Sequence, residues 1–225
     1  DSLRRMCDSL SSETTLVSAL PVYRDLATGR EEHRYQLEAP LRWPGGSYVD
    51  RMARVGNEPG RPSYTLFRRD ALRMTDDAWR NDMSCDLVAN VLAAAAGETV
   101  LLPPGLVTCG QHPGRDAVNQ SFDLLAARLV HSLDYLAKQS DSRIRRFASI
   151  YGVVEAFGLI RTYAGKRRRG VHVPLSELLR HLASVRRAIG LQALFMHPRK
   201  TSQYLKYKYA MGRRAPLAPK PISFP

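Results

Sequence analysis

At 225 residues the chain is long enough for one sizeable core, or for a core plus a smaller module. Its 44% hydrophobic content argues against wholesale disorder, and its longest apolar run, Leu87 to Ala96, contains Asn90 and falls short of a membrane span. The net charge of +13 is held unevenly: residues 1–142 carry 16 Lys+Arg against 19 Asp+Glu, whereas residues 143–225 carry 18 against 2, Glu155 and Glu177. So cationic a segment repels itself unless a polyanion lies beside it, and nucleic acid is the commonest such partner. Attachment to an anionic membrane surface is also compatible with the charge.

Cys7, Cys85 and Cys109 are an odd number without framework spacing, which argues for a reducing compartment rather than a disulfide-stapled secreted domain. The chain begins at Asp1 rather than Met. A removed organellar leader and a fragment both fit that start, and the present N-terminus, with Asp1, Asp8 and Glu13, is not itself a presequence.

Thr14 to Tyr23 is partly alternating and β-branched. With a turn near Ala27-Thr28-Gly29 and a return over His33 to Leu37, it predicts a hairpin. Pro40 to Pro62 is rich in Gly and Pro and reads as an irregular loop with a short helical turn at Val49 to Arg54. Ser63 to Arg68 is a third short strand. Thr75 or Asp76 is placed to cap a short helix through Trp79, and Asp82 or Ser84 one running to Ala96. Pro103-Pro104-Gly105 and Gly110 to Gly114 read as a linker and the main domain boundary.

Beyond the boundary the pattern is helical. Phe122, Leu125, Leu129, Leu133 and Leu136 recur at threes and fours in a helix starting at Asp116 or Asn119. After a break at Ser140-Asp141, a second helix covers Ser142 to Tyr163 and ends at Gly165, completing a helical hairpin. Pro174 opens a third helix, with Leu178, Leu182, Val185 and Ile189 as its stripe, ending at Gly190. A short piece to Met196 and a basic helix over Thr201 to Met211 follow, then a proline-containing extended tail. The expected fold class is α+β: a small, irregular β-containing body (1–115), a mainly α-helical basic module (116–196) and an extended basic tail (197–225).

The loop Lys166-Arg167-Arg168-Arg169 between glycines predicts a phosphate-backbone contact, together with Arg143, Arg145, Arg146, Arg161, Arg180, Arg186 and Arg187. A basic run alone is most often a solvated loop; the lack of neighbouring acids tips the balance toward nucleic acid. In the tail, Arg199, Lys200, Tyr204, Lys206, Tyr207, Lys208, Arg213 and Arg214 interleave cations with aromatics. Lysine neutralises phosphate, while tyrosine stacks on an unpaired base or packs on protein.

Signals for catalysis are poor. Cys109-x-x-His112 is half a metal site, and completing it would draw on distant residues such as Cys85 and His131, so no metal or other cofactor is expected. Asp76-Asp77 complements a helix dipole more simply than it forms a catalytic pair. Gly165-Lys166 lacks the rest of a phosphate-binding loop, and no Ser/His/Asp or Cys/His arrangement is readable. An enzyme acting on a small-molecule substrate is not expected.

The segment Gln120 to Arg146, QSFDLLAARLVHSLDYLAKQSDSRIRR, resembles part of the small-subunit ribosomal protein fifteen family. Leu124-Leu125 would match that family's helical Leu-Leu pair, and Asp141 with Arg145-Arg146 its RNA-touching loop, with Ser142 and Arg143 where the family has paired histidines. In overall style the chain resembles an organellar ribosomal protein. The resemblance implies a structural RNA-binding subunit of a mitochondrial ribosome, in the matrix, with ribosomal RNA and neighbouring ribosomal proteins as partners. Three alternatives are a peripheral subunit of a mitochondrial membrane complex, a viral or chromosomal nucleic-acid-binding protein, and an RNA-modifying enzyme.

Overall fold

The computed structural model describes residues 2–32, 35–55, 64–72, 85–111 and 121–190, together with 198–199, 202 and 222–223. The architecture is α+β, with a strand-containing N-terminal part and a mostly helical C-terminal part. A short helix α1 (Ser2–Asp8) leads into β1 (Thr14–Asp25), the centre of the sheet. The first ten residues of β1 are buried, because both of its faces are covered. Leu16 and Leu101 point into the main core, while Val17, Ala19, Val100 and Leu102 pack with Met6 of α1 on the other face. This is the period-two alternation of a strand, hidden in the sequence because neither face is polar.

The hairpin is present, with its return strand earlier than expected. β2 (Glu31–Glu32) pairs antiparallel with Tyr23 and Arg24 of β1. Asp25 sets the turn: its Oδ1 accepts hydrogen bonds from the backbone N–H of Ala27 (2.8 Å) and Thr28 (3.0 Å), which hold its carboxyl below the usual range. Instead of extending the hairpin, β3 (Tyr35–Gln36) pairs in parallel with the distant β7 (Ile222–Ser223).

In the segment expected as an irregular loop, the helical turn expected at Val49 to Arg54 is the eight-residue helix α2 (Tyr48–Val55), and β4 (Leu41–Trp43) is an addition. β5 (Thr65–Phe67) matches the expected third strand and pairs antiparallel with Leu16 to Ser18. Helix α3 (Cys85–Ala96) also matches. The sharpest departure follows it. Of the residues expected as a linker, Pro103-Pro104-Gly105 and Gly110 belong to β6 (Glu98–Gln111), which runs parallel to β1 and antiparallel to β4, while 112–114 lie outside the described residues. The ladder is interrupted where Ala19 faces Leu102 and Pro21 faces Val107, so 103–106 bulge out of register. Pro21, Pro103 and Pro104 all sit at this irregularity, where a strand tolerates residues without an N–H, and Gly105 takes φ 108°.

Three helices complete the chain: α4 (Phe122–Ala137), α5 (Ser142–Arg168) and α6 (Leu175–Ile189), each packed against the other two. Ser121 caps α4 by accepting from the N–H of Leu124, and Asp141 caps α5 by accepting from the N–H of Arg143. The residues on either side of the expected boundary share one core. Tyr48, Met52, Val88 and Leu101 belong to the same buried cluster as Phe122, Leu133, Phe147, Val154 and Val185. All three helices come together at Gly152, where an added Cβ would lie 2.8 Å from Ile189 Cγ2 and 3.2 Å from Leu133 Cδ1.

Candidate nucleic-acid interface

Helix α5 does not stop at Gly165; it continues to Arg168, so Lys166, Arg167 and Arg168 form its last turn rather than a loop. The stop is at Gly170, whose φ of 77° is a left-handed conformation that favours glycine. The N–H of Val171 donates to Lys166 O (3.0 Å) and that of Gly170 to Arg167 O (3.1 Å), the six-to-one and five-to-two bonds of a Schellman ending. Cations in this turn also complement the negative end of the helix dipole, which is why the basic run sustains the helix past a glycine.

Within the turn the side chains are unequally engaged. Arg169 donates from Nε to Gly165 O at 3.2 Å, and the Arg167 guanidinium lies 5.9 Å from the centre of the Tyr163 ring. Lys166 is half-buried and Arg168 exposed. One turn earlier Arg161 is exposed, and Arg186 and Arg187 occupy the last turn of α6. Arg161, Arg168, Arg186 and Arg187 have no ion pair with any described residue.

Arg180 is different: its Nη2 is 2.5 Å from Asp123 Oδ1, the same oxygen that contacts His181 Nε2 at 2.7 Å. His181 is buried against the edge of Phe122, so the group clasps α6 to the first turn of α4. With Glu177 these side chains place three potential ligand atoms within 4.8 Å of one another. A cation there would have to displace Arg180, whose guanidinium already balances Asp123.

The arginines expected at the interface from the first turn of α5 are engaged by the protein itself, Arg143 and Arg146 half-buried and Arg145 still exposed. Arg143 binds Asp141 (Nη2 to Oδ2, 2.7 Å) and donates to Gly45 O at 2.7 Å and Ala95 O at 3.1 Å, tying α5 to the turn before α2 and to the end of α3. The Asp141 carboxylate raises the Arg143 pKa. The same contact, followed by the backbone N–H groups of Arg143 and Ile144, holds Asp141 below the usual carboxylate range despite partial burial. Arg145 closes the α4–α5 turn by donating to Gln139 O (3.0 Å) and Ser140 O (2.8 Å). Arg146 pairs with Asp50 of α2. Asp141, Arg145 and Arg146, which the family resemblance assigns to RNA contact, therefore organise the helical hairpin itself. Sequence reasoning missed this because their acceptors are mostly backbone carbonyls, which leave no trace in residue type.

The rest of the expected set divides simply. Arg199 is exposed; Lys200, Tyr204, Lys206, Tyr207, Lys208, Arg213 and Arg214 lie outside the described residues. Cys109 is half-buried on β6 opposite Tyr23, and His112, its proposed metal partner, is likewise outside them. Three acidic groups of the body pair with arginines of the body itself, in Arg24–Glu31 (2.6 Å), Arg42–Glu98 (2.6 Å) and Arg68–Asp70 (2.7 Å). No described helix is long and apolar enough to cross a membrane. No protein-family model, curated protein or solved structure matches the chain.

Proposed function

We propose that the protein is a structural RNA-binding subunit of a ribonucleoprotein, specifically of a mitochondrial ribosome. The observation that carries this reading is the set of exposed arginines, Arg161, Arg168, Arg186 and Arg187, without acidic partners among the described residues, in a half-chain with 18 cations and 2 acids. Distributed over two packed helices, they span on the order of 20 Å, enough to follow several phosphates. Contacts of this kind position RNA without reading its bases, which suits an architectural role. The composition of residues 197–225, with cations, tyrosines and prolines, favours a ribosome, where such segments run along RNA or between proteins.

The test is sedimentation of the native protein from a gentle lysate of purified mitochondria, with and without ribonuclease. Co-migration with a ribosomal subunit, lost on nuclease treatment, is the expected result. Migration with a membrane complex, indifferent to nuclease, would overturn the reading and make the same arginines a docking surface for acidic subunits or anionic lipid.

A further inference from the structure

We infer that the outer face of α5 and α6 is a docking groove for an acidic amphipathic helix of a neighbouring protein. Phe157 and Ile160 of α5 are 51% and 44% exposed, although they stand in the middle of a packed helix pair. They form a ridge with a groove on each side. One, of about 200 Å³, lies between α5 and α6 and is walled by Val153, Ala156, Leu182 and Ile189. The other, of about 740 Å³, lies between α5 and α4 beside Leu125 and Leu129. On α6, helical spacing continues the stripe of Leu182 through Leu179 and Leu175, both 56% exposed. A run of large apolar side chains this contiguous marks an interaction surface rather than chance exposure.

The chemistry of the walls selects the occupant. The α5–α6 groove is aliphatic apart from Phe157, and its charged lining residue is Arg186, so it is this furrow that favours an acidic flank; the α4–α5 groove holds both Arg161 and Glu155 and is balanced in charge. Nothing in those aliphatic walls would read a base edge, so an inserted nucleotide is disfavoured. A second copy would set Arg161 and Arg186 against their own counterparts in a chain of net charge +13. A bilayer presents a plane, whereas this surface is a ridge between two furrows. A helix with leucines on one face and Glu or Asp on its flanks satisfies both the furrow and the arginines. Such a helix would compete with RNA for Arg161 and Arg186, which both readings use, and would leave Arg168 and Arg187 to phosphate.

The test uses the full chain and a labelled amphipathic peptide with leucines at i, i+3, i+4 and i+7 and glutamates elsewhere. Its lysine counterpart and phosphatidylglycerol vesicles serve as controls. Saturable binding of the glutamate peptide is expected, weakened about tenfold by Phe157→Ser or Ile160→Ser, the scale of a central interface residue. Arg186→Glu should reverse the preference toward the lysine peptide while leaving the apolar wall intact. Both serine variants change exposed residues, and an unchanged far-ultraviolet circular dichroism spectrum and melting temperature would show that they fold. Equal binding of the glutamate peptide to wild type and Ile160→Ser overturns the inference. So does stronger retention on vesicles, or concentration-dependent dimerisation abolished by Phe157→Ser. Because Ile160→Ser removes no cation, its RNA affinity should be unchanged, which separates failure here from failure of the RNA reading.

Discussion

Arg143 closes on Asp141, the residue that caps its own helix, with Nη2 2.7 Å from Oδ2. From that pair the remaining donors of the guanidinium reach Gly45 O and Ala95 O, so one side chain joins α5 to two elements of the body. Arg143→Ala should therefore lower unfolding stability by about 1–3 kcal/mol, the range for losing charge-assisted hydrogen bonds at a partly buried site. Its salt dependence of RNA binding should match wild type. Urea unfolding and a salt titration check the two parts.

Asp141 gives a pH prediction. Its folded pKa lies below the ordinary 3.8, with the Arg143 hydrogen bond as the largest cause. Its stabilising contribution is thus fully present above the unfolded value and is lost as pH falls through the lower folded value. Asp141→Asn retains a good cap but not the charge. The stability gap between wild type and Asp141→Asn should be constant from neutral pH to about 5 and close progressively below 4. A gap that persists undiminished to pH 2 would show that charge is not what Asp141 contributes.

Gly152 admits no side chain without displacing Ile189 or Leu133. Gly152→Val should destabilise the protein by about 1–3 kcal/mol through overpacking. Ile189→Ala removes the two nearest atoms it would strike, leaving Leu133, so the double variant should be more stable than the sum of the single losses, a coupling read from a double-mutant cycle.

Gly170 ends α5 with φ 77°, so Gly170→Ala should cost about 1 kcal/mol through left-handed strain. The last turn should fray, measured as faster amide exchange at residues 166–169, while residues 142–160 keep their protection.

For RNA, each of Arg161→Ala, Arg168→Ala and Arg187→Ala should weaken binding to unrelated sequences equally and reduce the slope of log affinity against log salt by about 1. A loss confined to one sequence would instead indicate base readout. Arg145→Ala, whose guanidinium closes the α4–α5 turn, should leave the slope intact.

Local pattern alone was enough for the apolar stripe of α4, for helix α6, for the break at Asp141 and for strand β5, but not for the start of α4, which Ser121 caps in place of the expected Asp116 or Asn119. Each is encoded in residues close together in the chain: apolar spacing, a capping side chain, a terminating glycine. The division of charge was equally plain, since it is a property of composition. β6 was not legible, because Pro103-Pro104-Gly105 is a local signal for a linker. Only the parallel pairing with β1, some 80 residues earlier, supplies the hydrogen bonds and the bulge that make those residues part of a strand. The helical state of Lys166 to Arg168 was hidden for a related reason: Gly165 looks like an ending until Gly170 provides a better one.

The sequence by itself determined which half of this protein is cationic, and hence the class of partner its charge favours. Only the tertiary structure decided which cations are available. Arg143, Arg145 and Arg146 are as basic as Arg161, Arg186 and Arg187, but the packing of α5 brings carboxylates and carbonyl oxygens to the first three and leaves the others facing outward. The reason is geometric. Charge is carried by residue type, whereas its engagement depends on acceptors that folding brings within about 3 Å, from the preceding turn for Arg145 and from distant elements for Arg143 and Arg146.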